Sequence, residues 1–112
     1  MKLECAKTIS LPNATETDIR KAFADDNGRG EFIILRESDQ FYIQAAGEND
    51  GPYILEYREG GGDRHYRCTR GMDMNKSEVE SAFVKYLKGD MSWKTDFQWE
   101  QVDLEKPWWK FW

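Results

Sequence analysis

The sequence predicts an α+β domain in which a mostly antiparallel sheet of about six strands, in the order β-α-β-β-β-β-α-β, carries two helices on one face. Three observations predict it. Residues 31–70 hold four runs rich in aromatic and β-branched residues (EFIILRE, FYIQAAG, YILEYRE and RHYRCTR), separated by Ser-Asp-Gln, GENDGP and GGGD. That succession of short strands and turn residues is the pattern of an antiparallel meander. Ahead of the meander, Ile19, Ala22 and Phe23 recur at i, i+3 and i+4; after it, Val79, Ala82, Phe83, Tyr86 and Leu87 do the same over two turns. Finally, 112 residues are most simply one domain, 1–112, and a 14% aromatic content supplies core volume that 39% hydrophobic residues alone would leave thin.

Each element follows from its own residues. Residues 2–9 alternate, with Leu3, Cys5 and Ile9 on one side, and suit a short first strand. Asn13 or Thr15 is placed to cap the first helix, with Glu16 and Asp18 in its first turn, where the helix dipole favours negative charge. Asp26 to Gly30 then breaks the chain. The run has the look of a calcium loop, but Arg29 and Arg36 fall where oxygen ligands are needed, so it reads as a turn. In the meander, Phe41, Ile43 and Ala45 share one face, as do Tyr53, Leu55 and Tyr57; Glu56, Arg58, His65 and Arg67 fall on the opposite one. Ser77 and Glu80 have capping-box spacing for the second helix, and Gly89 is placed to close it. Met91 to Trp93 reads as a connection, 97–102 as the last strand, and 106–112 as an aromatic tail.

Charge and composition narrow the function. The net charge is -5, and residues 1–60 hold 12 acidic and 7 basic side chains against 9 of each in 61–112. An acidic chain is a poor match for nucleic acid, whose phosphates call for a basic face. Arg58, Arg64, Arg67 and Arg70 form a local basic group, read here as strand-end arginines held in water. The chain opens with no apolar leader-like run and contains no long apolar stretch, so neither a signal peptide nor a membrane span is expected, and a cytoplasmic location follows. Cys5 and Cys68 fit no zinc or redox spacing; in a reducing compartment they read as thiols, and a bridge between neighbouring strands stays open.

Catalytic signals are weak. His65 is the single histidine, and Cys68 lies three residues on, on the opposite face of a regular strand, which is awkward for a nucleophile pair. Glu56 with Glu37 or Glu59 has the residue types for acid–base work, but an interior glutamate more simply pairs with Arg58, Arg67 or Arg36 across the sheet. Gly60 to Gly62 lacks the helix and the Lys-Ser/Thr pair of a phosphate loop. No metal site, no cofactor and no catalytic group are therefore expected. Asp39, Glu48, Asp50 and Glu59 lie in or beside the meander turns, where solvated acids are common; if they converge, they make a negative patch for a basic partner. The tail tryptophans read either as a cover for the sheet or as anchors for a partner or a dimer.

The meander FIILRESDQFYIQAAGENDGPYILEYREGGGDRHYRC followed by SEVESAFVKYLKGD resembles the small bacterial immunity proteins of polymorphic toxin systems, in particular the family encoded beside deaminase-type toxins. The likeness spans about residues 31–103 and rests on a Tyr-x-x-Glu-Tyr-Arg segment, here Tyr53, Glu56, Tyr57 and Arg58, and on the helix near the C-terminus. It implies a non-enzymatic protein that neutralises a cognate toxin by occluding its active site. On that reading Glu48, Asp50, Glu56 and Glu59 supply electrostatic complementarity, while Tyr57, Trp108, Trp109 and Trp112 act as apolar anchors. A small structural domain that homodimerises through its tail is the second reading. An enzyme using Glu56, His65 and Arg67 is the third.

Overall fold

A computed structural model of the chain describes residues 1–7, 10–25, 29–48 and 50–102. The strands are β1 (Lys2–Cys5), β2 (Phe32–Ser38), β3 (Phe41–Ala46), β4 (Ile54–Glu59), β5 (His65–Cys68) and β6 (Trp99–Val102), and the helices are α1 (Glu16–Ala24), α2 (Lys76–Lys88) and the single-turn α3 (Ser92–Thr95). All six strands form one sheet in chain order, β1 to β6, and every neighbouring pair is antiparallel. The predicted α+β architecture is therefore present, with α3 as an addition.

The alternation read from the sequence sorts the two faces. Leu3, Ile33, Leu35, Ile43, Ala45, Leu55, Tyr57 and Cys68 point to one side and meet Ile19 and Phe23 of α1 and Val79, Ala82 and Phe83 of α2 in a single core. Phe23 and Phe83 lock the two helices edge-to-face at 5.3 Å. Thr15 caps α1, its hydroxyl accepting from the Asp18 N–H while the Asp18 carboxylate accepts from the Thr15 N–H.

The second capping box differs from the expected one. It is Asn75 with Glu78, not Ser77 with Glu80. The Tyr53 N–H donates to the Met74 carbonyl at 2.8 Å, so the chain is still pinned to the sheet at Met74 and the helix starts directly after it. Gly89 closes α2 in the left-handed region, at φ 74°, as its position predicts.

Two further readings change. Residues 91–93 are more than a connection: α3 turns Trp93 into the core, 2% exposed, where its ring meets Tyr57, Tyr86 and Trp99. Arg29, read as part of a turn, is 1% exposed; its guanidinium lies over the Phe23 and Tyr53 rings and donates to the Tyr53 hydroxyl at 2.6 Å. Cys5 and Cys68 are not bridged to each other. Their strands stand four places apart in the sheet, roughly 19 Å at the usual strand spacing, far beyond the reach of a disulfide.

Candidate partner-binding face

Both longer helices pack on the core side, and the other face of the sheet is left uncovered by them. Register arranges that face in rows that run across the strands. One row is Lys2, Arg36, Tyr42, Arg58, His65 and Val102. The next is Glu4, Ile34, Gln44, Glu56, Arg67 and Glu100. A short third row of Phe32, Ala46 and Ile54 is apolar. A bulge between Arg36 and Ser38 gives β2 one extra residue, which sets Arg36 rather than Glu37 opposite Tyr42. The face thus carries a cationic and aromatic stripe, an acid-rich stripe and an apolar stripe.

The centre of the face is a hydrogen-bonded lattice. His65 is completely buried; its Nε2–H meets Glu56 Oε1 at 2.6 Å, and its Nδ1 accepts from Arg58 Nε at 3.2 Å. Those two partners fix the tautomer with the proton on Nε2. Arg58 also donates to Gln40 Oε1 at 3.0 Å, and Gln44 donates to Glu56 Oε1 at 3.4 Å. The Tyr42 ring stands between its cross-strand neighbours Arg36 and Arg58, whose guanidinium carbons lie 4.7 and 5.4 Å from the ring centroid. Arg36 continues the lattice to Glu4 Oε1 at 3.1 Å. Arg67 closes the other side: its Nε lies 3.5 Å from Glu56 Oε2, buried and without a hydrogen bond.

Burial works to raise the pKa of the Glu56 carboxyl, but the hydrogen bond from His65 and the charge of Arg67 outweigh it, leaving the group below its ordinary value. Glu56 is therefore an ionised carboxylate at neutral pH, tied into the sheet. The lattice offers donors and acceptors held in place on one face of the sheet. A ring that is fully buried, with both nitrogens engaged, is badly placed to take a proton from a bound molecule.

The residues expected to meet a partner are dispersed. Glu48 and Asp50 lie in the β3–β4 turn, where Asp50 is almost wholly exposed and approaches Lys76 Nζ at 3.5 Å. Glu56 lies in the middle of the uncovered face. Glu59 ends β4 and is held by Lys94 Nζ at 2.7 and 2.9 Å. Ile54 to Glu59 spans about 17 Å along the strand, so these four carboxylates do not converge into one patch. Tyr57 corrects a second expectation. It is 3% exposed, walled in by Tyr66, Trp93 and Trp99, and its hydroxyl is pushed up to about 12 by burial and the Glu59 carboxylate. It is a core residue and has no ring to offer a partner. Trp108, Trp109 and Trp112 lie outside the described residues.

Tyr42, Arg36 and Gln40 were missing from the expected site. The signal existed in part, because alternation already put Tyr42 opposite Ile43. Bringing it between two arginines, however, required the bulge and the register. Among the described residues, no group of three or more His, Cys, Asp or Glu side chains comes together to hold a metal ion, and no helix is long and apolar enough to cross a membrane.

Fold and face together define the class: an α+β sandwich of helices on a meander sheet, with one sheet face that neither α1 nor α2 covers and that is patterned by charge. Comparison with known proteins finds no family model, no curated protein and no solved structure that matches the chain.

Proposed function

We propose that this protein is a non-enzymatic binding protein of the bacterial cytoplasm, an immunity protein that neutralises a cognate toxin by covering its active site. The observation that carries the reading is the hydrogen-bonded lattice on the sheet face that, among the described residues, no helix covers. Groups already fixed by His65, Glu56, Arg58 and Gln40 lose little conformational freedom when a second surface docks on them. The resemblance of the meander and the following helix to toxin immunity proteins supplies the class of partner. The net charge of -5, with Glu48 and Asp50 standing out from the β3–β4 turn, favours approach to a basic, nucleic-acid-acting toxin.

The burial of His65 speaks for binding over catalysis, since the enzyme reading needs that ring to reach a substrate. The test pairs capture with inhibition. The tagged protein is recovered from the source cell, and any stoichiometric companion is purified and assayed for nuclease or deaminase activity with and without it. Loss of that activity on mixing supports the reading. A companion whose activity is untouched, or recovery of the protein alone, refutes it; a mass in solution that falls on deleting residues 107–112 would move the argument to self-association through the tail.

A further inference from the structure

We infer that Arg58 is the seat for a carboxylate carried by the protein partner, set between Tyr42 and His65 in the sheet face that neither α1 nor α2 covers. The inference rests on the binding reading above and says where and by what chemistry the partner is held. Arg58 is half-buried, yet its contacts are to neutral groups: the His65 Nδ1, the Gln40 side-chain oxygen and the Tyr42 ring. Among the described residues no carboxylate pairs with it, whereas Arg36 and Lys2 in the same row both pair with Glu4. A partly desolvated guanidinium without a counter-charge is half of an ion pair. Its two hydrogen bonds fix the plane of the group and leave three of five N–H donors unspent, enough for the two-pronged grip that guanidinium gives a carboxylate. Arg67, with a buried Nε that makes no hydrogen bond, adds a second positive charge in the adjoining row.

The surroundings favour a protein carboxylate over the phosphates of a nucleic acid. Glu4, Glu56 and Glu100 are three of the six residues of the adjoining row, two residues along the strands and about 6.7 Å away, where Arg67 is the single base. A polyphosphate chain crossing Arg58 would run onto those carboxylates; a single Asp or Glu side chain would not. The stripes extend the specification. A partner surface presenting an acid to the Arg36–Arg58 row, a base to the Glu4–Glu56–Glu100 row and an apolar side chain to Phe32, Ala46 and Ile54 matches all three. Beside the last of these lies a cleft of about 100 Å³ lined by Phe32, Ile34, Ala46 and Ile54, with Gln44 and Glu56 at its polar end.

The test has two arms. In the first, acetate and inorganic phosphate are titrated separately, at matched ionic strength, into protein labelled for arginine side-chain NMR. A saturable shift at the Arg58 Nε–H and the His65 ring, with half-saturation at lower acetate than phosphate concentration, is expected. It should disappear in Arg58→Gln and persist in Arg64→Gln, both checked by unchanged backbone amide spectra elsewhere. A linear response shared with exposed Arg64, or tighter binding of phosphate, overturns the seat. In the second arm, recovery of the partner from the source cell should fall at least tenfold in Arg58→Gln, with only partial rescue by Arg58→Lys, which keeps the charge but not the fork. Undiminished recovery by Arg58→Gln overturns the seat while leaving the binding reading intact. If the wild type recovers no partner, the binding reading fails and the seat as a partner contact falls with it, whatever acetate does.

Discussion

Replacing His65 by Phe tests whether the lattice on the uncovered face holds the sheet together or merely decorates it. Phenylalanine fills a similar space and keeps the edge-to-face contact with Tyr42, at 6.0 Å in the wild type, but it carries neither ring nitrogen. Arg58 Nε and Glu56 Oε1 each lose a partner. A buried polar group left unsatisfied costs about 1–3 kcal/mol. Both groups sit in half-buried residues and keep other contacts, Gln40 for Arg58, and Gln44 and Arg67 for Glu56, which places each cost below the middle of that range, at about 1.5 kcal/mol. The more apolar ring returns about 1 kcal/mol through burial. The net loss should be about 2 kcal/mol, or a fall of roughly 1 M in the urea midpoint for a slope near 2 kcal/mol per M. Far-UV circular dichroism at pH 7 reads it, and a cycle with Glu56→Gln isolates the pair, because that second change should cost less in the Phe background than in the wild type. A midpoint within about 0.3 M of wild type, with no coupling to Glu56, would reduce His65 to filler and remove the preorganised face from the argument.

Other outcomes follow from the same contacts. Glu56 has its folded pKa lowered from 4.5, so its contribution to stability is complete above that value and is lost as pH falls through the folded pKa. Urea midpoints of wild type and Glu56→Gln should therefore differ at pH 7 and converge in more acid solution; a gap that is constant with pH contradicts the linkage. Trp93→Ala should cost about 4 kcal/mol, since a fully buried ring is removed, while Met91→Ala, at a side chain 55% exposed, should stay within about 0.5 kcal/mol. Equal midpoints for these two variants would put Trp93 outside the core. Asn75→Ala should lose about 1 kcal/mol with the cap of α2 and Ser77→Ala almost nothing, a contrast that thermal unfolding resolves and that would be reversed if the box lay at Ser77 and Glu80.

The sheet was readable because period-two alternation is local: Tyr53, Leu55 and Tyr57 declare a buried face without knowledge of any other strand. The same alternation already placed Tyr57 inside, and treating it as a partner anchor went against that pattern. What sequence could not supply is relation across strands. Glu56, Arg58, His65 and Arg67 were on one face by periodicity, but their pairing depends on the β4–β5 register, and the place of Tyr42 between Arg36 and Arg58 on a bulge in β2 that no residue type announces. Arg29 was missed because a charged side chain reads as solvent-facing; here its fork is spent on the Tyr53 hydroxyl and on backbone carbonyls. Trp93 was missed because a single helical turn is too short to show a period.

A sheet whose spatial order repeats its chain order has a kinetic signature. The hairpins from β2 through β5 close over connections of two, seven and five residues, 39–40, 47–53 and 60–64, so the four central strands pair at small loop-closure cost. The outer strands do not share that economy, because β1 meets β2 only around α1, and β6 meets β5 only around α2 and α3. Amide protons of the β1–β2 and β5–β6 ladders should therefore exchange through openings that leave the inner meander closed, ahead of those shared by β3 and β4. The carboxylate seat proposed at Arg58 lies on β4, within the slow-exchanging part of the sheet, while Lys2, Glu4 and Glu100 at the margins belong to the strands that open first.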